Sequence, residues 1–274
     1  MFARFTTVLT LGFALATSAL QAQSAPDAVF DAIGMPEMIA IMSEEGIDYG
    51  EQIATDMFAG NVDPAWSGMV AAIYDPVKIT ARVKADLAMA LQGADTDAIV
   101  GFFQTEPGRT IVTLEVSARR AFLDDAVEQA AKENAALAMM DDTPRHRQIT
   151  AFIDANDLIE TNVTAALNSN YAFYMGMLDG GAFPGEMSEQ DVLTNVWASE
   201  SDVRASTTEW VFAFLTLAYQ PLSDADLDAY IAFSQSPAGK DLNRAMFAAF
   251  DGVFNDNSRA LGLAASRMMG QQEL

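Results

Sequence analysis

The feature that most constrains this chain is where its helix breakers lie. Gly and Pro are sparse, and they separate long segments rich in Ala, Leu, Met and acidic residues. Within these segments apolar residues recur at the three- and four-residue steps of an amphipathic helix. Sustained alternation of Val, Ile and Thr, which would indicate strands, is missing. The sequence therefore predicts an all-α fold with no significant sheet.

The same pattern predicts where the helices begin and end. Ser188 and Ser223 each precede an acidic residue by three positions, which is the arrangement of a helix N-cap. Pro144 and Pro237 follow a Thr or Ser and suit the first helical position. We expect helices at about 26–34, 36–59, 63–73, 76–91, 96–104, 106–140, 144–178, 188–199, 204–219, 223–234 and 237–266.

The N-terminus has the layout of a secretory signal peptide. Arg4 precedes an apolar run of about fifteen residues, and small and then polar residues follow. We expect cleavage after Ala22, with Ala19 as the alternative site, and an uncleaved N-terminal anchor as the alternative outcome. No later apolar run approaches the roughly 20 residues that a spanning helix needs. The sequence thus predicts a periplasmic or secreted protein with no stable membrane span after cleavage.

Charge and composition narrow the classes of function. The chain has 38 acidic and 15 basic residues and a net charge of −23, so its field repels nucleic acid. It has no Cys, which excludes disulfides, thiolate catalysis and Cys-ligated metals. It also has a single His. We therefore expect no nucleic-acid partner and no cofactor.

Two similar stretches, FFQTEPGR and FSQSPAGK, interrupt the helical pattern. In each, an aromatic residue ends one helix, a Ser or Thr caps the next, and Pro and Gly occupy its first turn. A residue before Pro disfavours the helical region, and Gly allows the preceding helix to approach closely. We predict a tight corner at each stretch, structural before functional, formed by Phe102, Thr105, Pro107, Gly108, Phe233, Ser236, Pro237 and Gly239.

The two corners belong to a longer internal similarity. A shift of 131 residues places 91–109 on 222–240 without a gap, with eight identities in 19 positions. The same shift places Trp66 on Trp197. We interpret this as two homologous helical units in tandem after a 1–22 signal peptide, at 23–140 and 141–274, joined by a long helix that starts near Pro144.

The corner pattern resembles a known family. An acidic helix start, an aromatic residue, Ser/Thr-Pro-x-Gly-Lys/Arg and an amphipathic helix are typical of domain-of-unknown-function family 2059. The second copy, LSDADLDAYIAFSQSPAGKDL, is similar to that pattern over about 40 residues, and the first copy is more divergent. The resemblance implies exported bacterial proteins with a helical fold. It supplies no activity and no catalytic residues.

Other motifs offer little chemistry. His146 lies between Arg145 and Arg147 in a stretch that we interpret as an exposed linker, and no nucleophile motif accompanies it. The acidic stretch from Asp224 lacks the Gly and the final Glu of a calcium loop. Carboxylate pairs for glycoside hydrolysis cannot be nominated among so many acids. The sequence predicts no catalytic or metal-binding residue.

One polar pattern remains open. In the helix predicted at 144–178, Asn156 and Asn170 fall two heptads apart on the apolar side. Buried Asn must find hydrogen-bond partners, so the pair would set register, cap a neighbouring helix, form a dimer seam or line a polar floor for a ligand.

The sequence favours a non-catalytic module that binds an envelope protein or an apolar small molecule between its units. The alternative is a hydrolase that uses carboxylates to cleave a cell-envelope glycan. The oligomeric state stays open.

Overall fold

A computed structural model describes residues 24–58, 64–183, 185 and 187–272, so the predicted signal peptide lies outside the described residues. Those residues form thirteen α-helices and no strand, which confirms the all-α prediction. None of these helices combines the length and apolar character needed to cross a bilayer. The helices are α1 Ala25–Ala32, α2 Met35–Phe58, α3 Pro64–Ile73, α4 Pro76–Ala90, α5 Thr96–Phe103, α6 Glu106–Ala121, α7 Asp125–Met140, α8 Pro144–Asn156, α9 Leu158–Asp179, α10 Glu189–Ala198, α11 Glu200–Tyr219, α12 Asp224–Gln235 and α13 Pro237–Gln272.

Two predicted helices are each broken into two. The helix predicted at 106–140 stops at Phe122, and Asp124 caps a new helix by accepting from the Ala126 amide at 2.9 Å. The helix predicted at 144–178 breaks at Asp157, whose φ of +50° lies in the left-handed region. Asp tolerates that region better than most residues. The prediction of one long helix from Pro144 is therefore wrong.

Most of the predicted caps are present. Ser188 and Asp191 form a complete capping box, in which each side chain accepts from the other's backbone N–H. The Ser223 hydroxyl accepts from the Asp226 amide at 3.1 Å and donates to its carboxylate at 2.6 Å. These contacts fix the starts of α10 and α12.

The helix that follows each corner packs against a different apolar core from the helix that precedes that corner. Helix α13 packs against the core of α1, α2, α4 and α5, which contains the fully buried Ile39, Leu87 and Ile99. Helix α6 packs instead against the core of α8, α11 and α12, which contains the fully buried Ile149 and Leu227. Each corner therefore directs its second helix away from the core of its first helix.

Candidate functional site

Both corners have the predicted caps, with the same hydrogen bonds. Thr105 Oγ1 accepts from the Gly108 amide at 3.2 Å and donates to the Phe102 carbonyl at 2.6 Å. Ser236 Oγ accepts from the Gly239 amide at 3.1 Å and donates to the Phe233 carbonyl at 2.6 Å. In each case one hydroxyl ties the end of one helix to the start of the next.

The corner glycines permit a backbone contact that no side chain would allow. A Cβ atom at Gly108 would lie 2.3 Å from the Phe102 carbonyl oxygen. A Cβ atom at Gly239 would lie 2.1 Å from the Phe233 carbonyl oxygen. Pro107 and Pro237 lie in the first turns of α6 and α13, where a missing N–H costs no helical hydrogen bond.

The two corners also contact each other. The rings of Phe102 and Phe233 stack with their centroids 4.2 Å apart and an interplanar angle of 8°. Phe103 meets the edge of Phe233 at 5.5 Å. The aromatic residues therefore join the corners, and Phe102 packs against both cores.

A cavity of about 300 Å³ opens beside this junction, with its wall formed mainly by α6, α11, α12 and α13. Two corner residues, Phe233 and Gly239, line it. Most of the wall is apolar, and aromatic side chains dominate it: Phe152, Trp210, Phe214, Tyr219, Tyr230 and Phe233.

Glu115 of α6 is the one carboxylate among the residues that line the cavity. It accepts a hydrogen bond from the Tyr219 hydroxyl at 2.6 Å, and the Tyr230 hydroxyl is its second hydrogen-bond partner. Burial raises the pKa of Glu115 to about 7, although both hydroxyls lower it by stabilising the charged form. Burial also raises the pKa of both tyrosines well above the usual value, so they remain donors. Within the described residues no ion pair includes Glu115.

Arg119 lies one helical turn beyond Glu115 and also lines the cavity. Its guanidinium pairs with Glu45 of α2 and lies over the Trp210 ring, 5.1 Å from the centroid. Its Nε atom is buried without a hydrogen-bond partner. The positive charge of Arg119 is thus already matched by Glu45, while one N–H donor remains free.

The structure separates the two predicted polar residues. Asn156 is 7% exposed and lines the cavity. Its side-chain amide donates to the Phe152 backbone carbonyl at 2.9 Å, and its backbone carbonyl accepts from the Asn243 side chain at 2.7 Å. Asn170 is exposed, so the prediction that it faces inward is wrong. The break at Asp157 explains the error, because it interrupts the heptad register between the two residues.

His146 lies away from the cavity. Its ring stacks on Phe212 at 5.2 Å, and it is half-buried where an exposed linker was expected. Trp66 and Trp197, which the 131-residue shift aligns, have different environments. Trp66 is fully buried and donates to the Gly50 carbonyl at 3.0 Å, whereas Trp197 is 63% exposed.

Sequence reasoning missed Glu115, Arg119 and both tyrosines of the cavity. The available signal was a Glu and an Arg four residues apart in VTLEVSARRA, beside the apolar stripe of α6. That spacing is usual on exposed helix faces, so it carries little information alone.

Comparison of the chain with protein-family models, with curated proteins and with solved structures finds no match, and the resemblance to domain-of-unknown-function family 2059 stays a prediction.

Proposed function

We propose that this protein is a non-catalytic binding protein of the cell envelope that takes a small, largely apolar molecule into the cavity beside Glu115. The observation that carries the proposal is an aromatic-lined cavity of about 300 Å³ with a few convergent polar groups. Small-molecule sites have this composition, with volumes from about 300 Å³ upwards. The envelope location rests on the signal-like N-terminus of the sequence.

The free-energy cost of placing the Glu115 carboxyl group in apolar surroundings supports the proposal. A carboxyl group in apolar surroundings weakens the fold unless it is fully compensated. Here burial outweighs the two tyrosine hydroxyls, because the pKa of Glu115 is raised to about 7. A raised pKa in a cleft is characteristic of functional sites.

The glycan hydrolase alternative lacks one group. Both mechanisms of glycoside hydrolysis need two carboxylates about 5–10 Å apart across the bond that is cleaved. Glu115 could act as the acid, but no second carboxylate is among the described residues that line the cavity. Glu45, close by on α2, is paired with Arg119.

Duplication is the second part of the proposal. We infer that 23–140 and 141–274 are homologous units, because their corners share the cap, the close glycine contact and the stacked aromatic. On this view the cavity formed where the second helix of one unit packs on the core of the other.

Native mass spectrometry of the protein, purified gently from the periplasm, tests the binding function. A cavity-filling variant, Met38→Trp, is compared with Met89→Trp, whose side chain is 63% exposed and outside the cavity. We expect an adduct of fixed mass on the wild type and on Met89→Trp, and its loss from Met38→Trp. An adduct absent from all three proteins, or equal in all three, would contradict binding in this cavity.

A further inference from the structure

We infer that the cavity selects organic cations, with an ammonium group held against Glu115 and inside the aromatic wall. The inference rests on the proposed binding function and names the chemical class of its ligand. Three features of the wall carry it: its charge balance, the geometry of its aromatic rings and the fit of other ligand classes.

When Glu115 is ionised, the charges of Glu115, Arg119 and Glu45 leave one negative charge without a counter-charge. Arg119 and Glu45 neutralise each other. The partners of Glu115 are neutral hydroxyls, from Tyr219 and Tyr230, and these supply hydrogen bonds without supplying charge. When Glu115 is ionised, a ligand cation is therefore the missing counter-charge in a region where water screens little.

Three aromatic rings of the cavity wall pack directly against one another. Tyr219 and Tyr230 meet at 83° with centroids 6.2 Å apart. Phe152 lies 4.7 Å from Tyr230 and 5.5 Å from Tyr219. Rings this close leave no room for a cation between them, so an ammonium group would meet them from the cavity side, within the roughly 6 Å over which a ring attracts a cation. Arg119 over Trp210 shows that another ring of the same cavity already holds a cation against its face.

Other ligand classes fit less well. An anion would meet the negative charge of Glu115 and find a single free donor, Arg119 Nε, whose charge Glu45 has already matched. A neutral apolar ligand would displace water from Glu115 and leave its charge unpaired. The net charge of −23 on the whole chain adds a long-range attraction for cations.

The test is isothermal titration calorimetry with three probes of one shape: 2-phenylethylammonium, 2-phenylethanol and phenylacetate. It is run on the wild type at about pH 8, above the pKa of Glu115. We expect the ammonium to bind at least about tenfold more tightly than the other two. Glu115→Gln should bring the ammonium and the alcohol to within about threefold of each other, while Glu51→Gln, an exposed control on α2, keeps the preference.

The outcomes separate this inference from the binding function. Equal affinity for the alcohol and the ammonium, or failure of all three probes on a protein that carries a native adduct, overturns the cation and leaves the binding function standing. Tightest binding of phenylacetate overturns it in favour of an anion at Arg119. If Glu115→Gln fails to fold by circular dichroism, Glu115→Met decides, because it also removes the carboxylate and should abolish the preference for the ammonium over the alcohol.

Discussion

The corners join two similar helix pairs, α5–α6 and α12–α13. The second helices of these pairs are buried in different cores. On one side α13 packs on the core of α5, where Leu242 and Ala249 are buried with Ile99. On the other side α6 packs on the core of α12, where Ile111 and Ala118 are buried. The 131-residue shift pairs Ile111 with Leu242 and Ala118 with Ala249, so the same face of each helix is buried in the opposite core.

The difference lies in the groups beside those buried faces. The shift aligns Glu115 with Met246 and Tyr230 with Ile99. Met246 lines the same cavity and packs against the apolar cluster that contains Ile99, whereas Glu115 hydrogen-bonds to Tyr230. The aligned position of α13 thus places an apolar side chain in the cavity wall, where α6 places a carboxylate. That contrast is the strongest structural reason to assign Glu115 to binding.

The largest expected effect tests whether the two corners are mechanically equivalent. Gly108→Ala and Gly239→Ala each place a Cβ atom within 2.3 Å of a carbonyl oxygen, so the helices must separate. We expect each to lower the free energy of unfolding by about 3 kcal/mol in urea denaturation. Gly101→Ala, a helical glycine of α5 with open space around it, should stabilise by about 0.5–1 kcal/mol. A severe effect at one corner and a neutral effect at the other would break the comparison.

The second effect tests whether the carboxylate of Glu115 contributes to the stability of the fold. Glu115→Met introduces the residue that the shift aligns with it, and so replaces a half-buried carboxylate with an apolar side chain. We expect the variant to be more stable than the wild type by about 1–3 kcal/mol at about pH 8 and to lose ammonium binding. Destabilisation would show that Glu115 serves the fold and would remove the support that Glu115 gives to the binding proposal.

The gain of Glu115→Met should depend on pH in a defined direction. The pKa of Glu115 is raised in the folded state, so the wild type holds this proton more tightly when folded. That contribution is fully present below about 4.5 and is lost as the pH rises through about 7. The difference between variant and wild type should therefore grow by about 3 kcal/mol over this interval and stay constant above it. Urea midpoints at pH values across the interval measure it, and a flat difference would contradict the raised pKa.

A smaller effect concerns the caps that fix the corners. Thr105→Ala and Ser236→Ala each remove one hydroxyl that both accepts from a glycine amide and donates to a phenylalanine carbonyl. We expect a loss of about 1 kcal/mol in each variant. Ser117→Ala removes an exposed hydroxyl of α6 that donates only within its own helix, and should change stability by less than about 0.5 kcal/mol. Unequal losses at the two caps would show that the same hydrogen bonds stabilise the two corners by different amounts.

What could be predicted from the sequence was local. The corners are encoded within eight residues each, where cap, Pro and Gly act on neighbouring backbone, and the structure has them as expected. The breaks at Asp124 and Asp157 were missed because neither involves Pro or Gly; an Asp cap and a left-handed Asp end the helices instead. The cavity could not be predicted. Glu115 and Tyr219 are 104 residues apart, and only the packing of α6 on the distant core of α11 and α12 brings them together.

The last effect separates the two Asn residues that the heptad pattern had joined. Asn156→Ala removes a buried amide that bonds to the Phe152 carbonyl at 2.9 Å, and we expect a loss of about 1–2 kcal/mol. Asn170→Ala changes an exposed position of α9, so its effect should stay within about 0.5 kcal/mol, with the higher helix propensity of Ala favouring a slight gain. Thermal unfolding of both variants measures the difference, and native mass spectrometry of Asn170→Ala should still show the adduct. Equal losses at the two positions would mean that the predicted heptad pattern continues across Asp157 and that Asn170 of α9 is buried as Asn156 is.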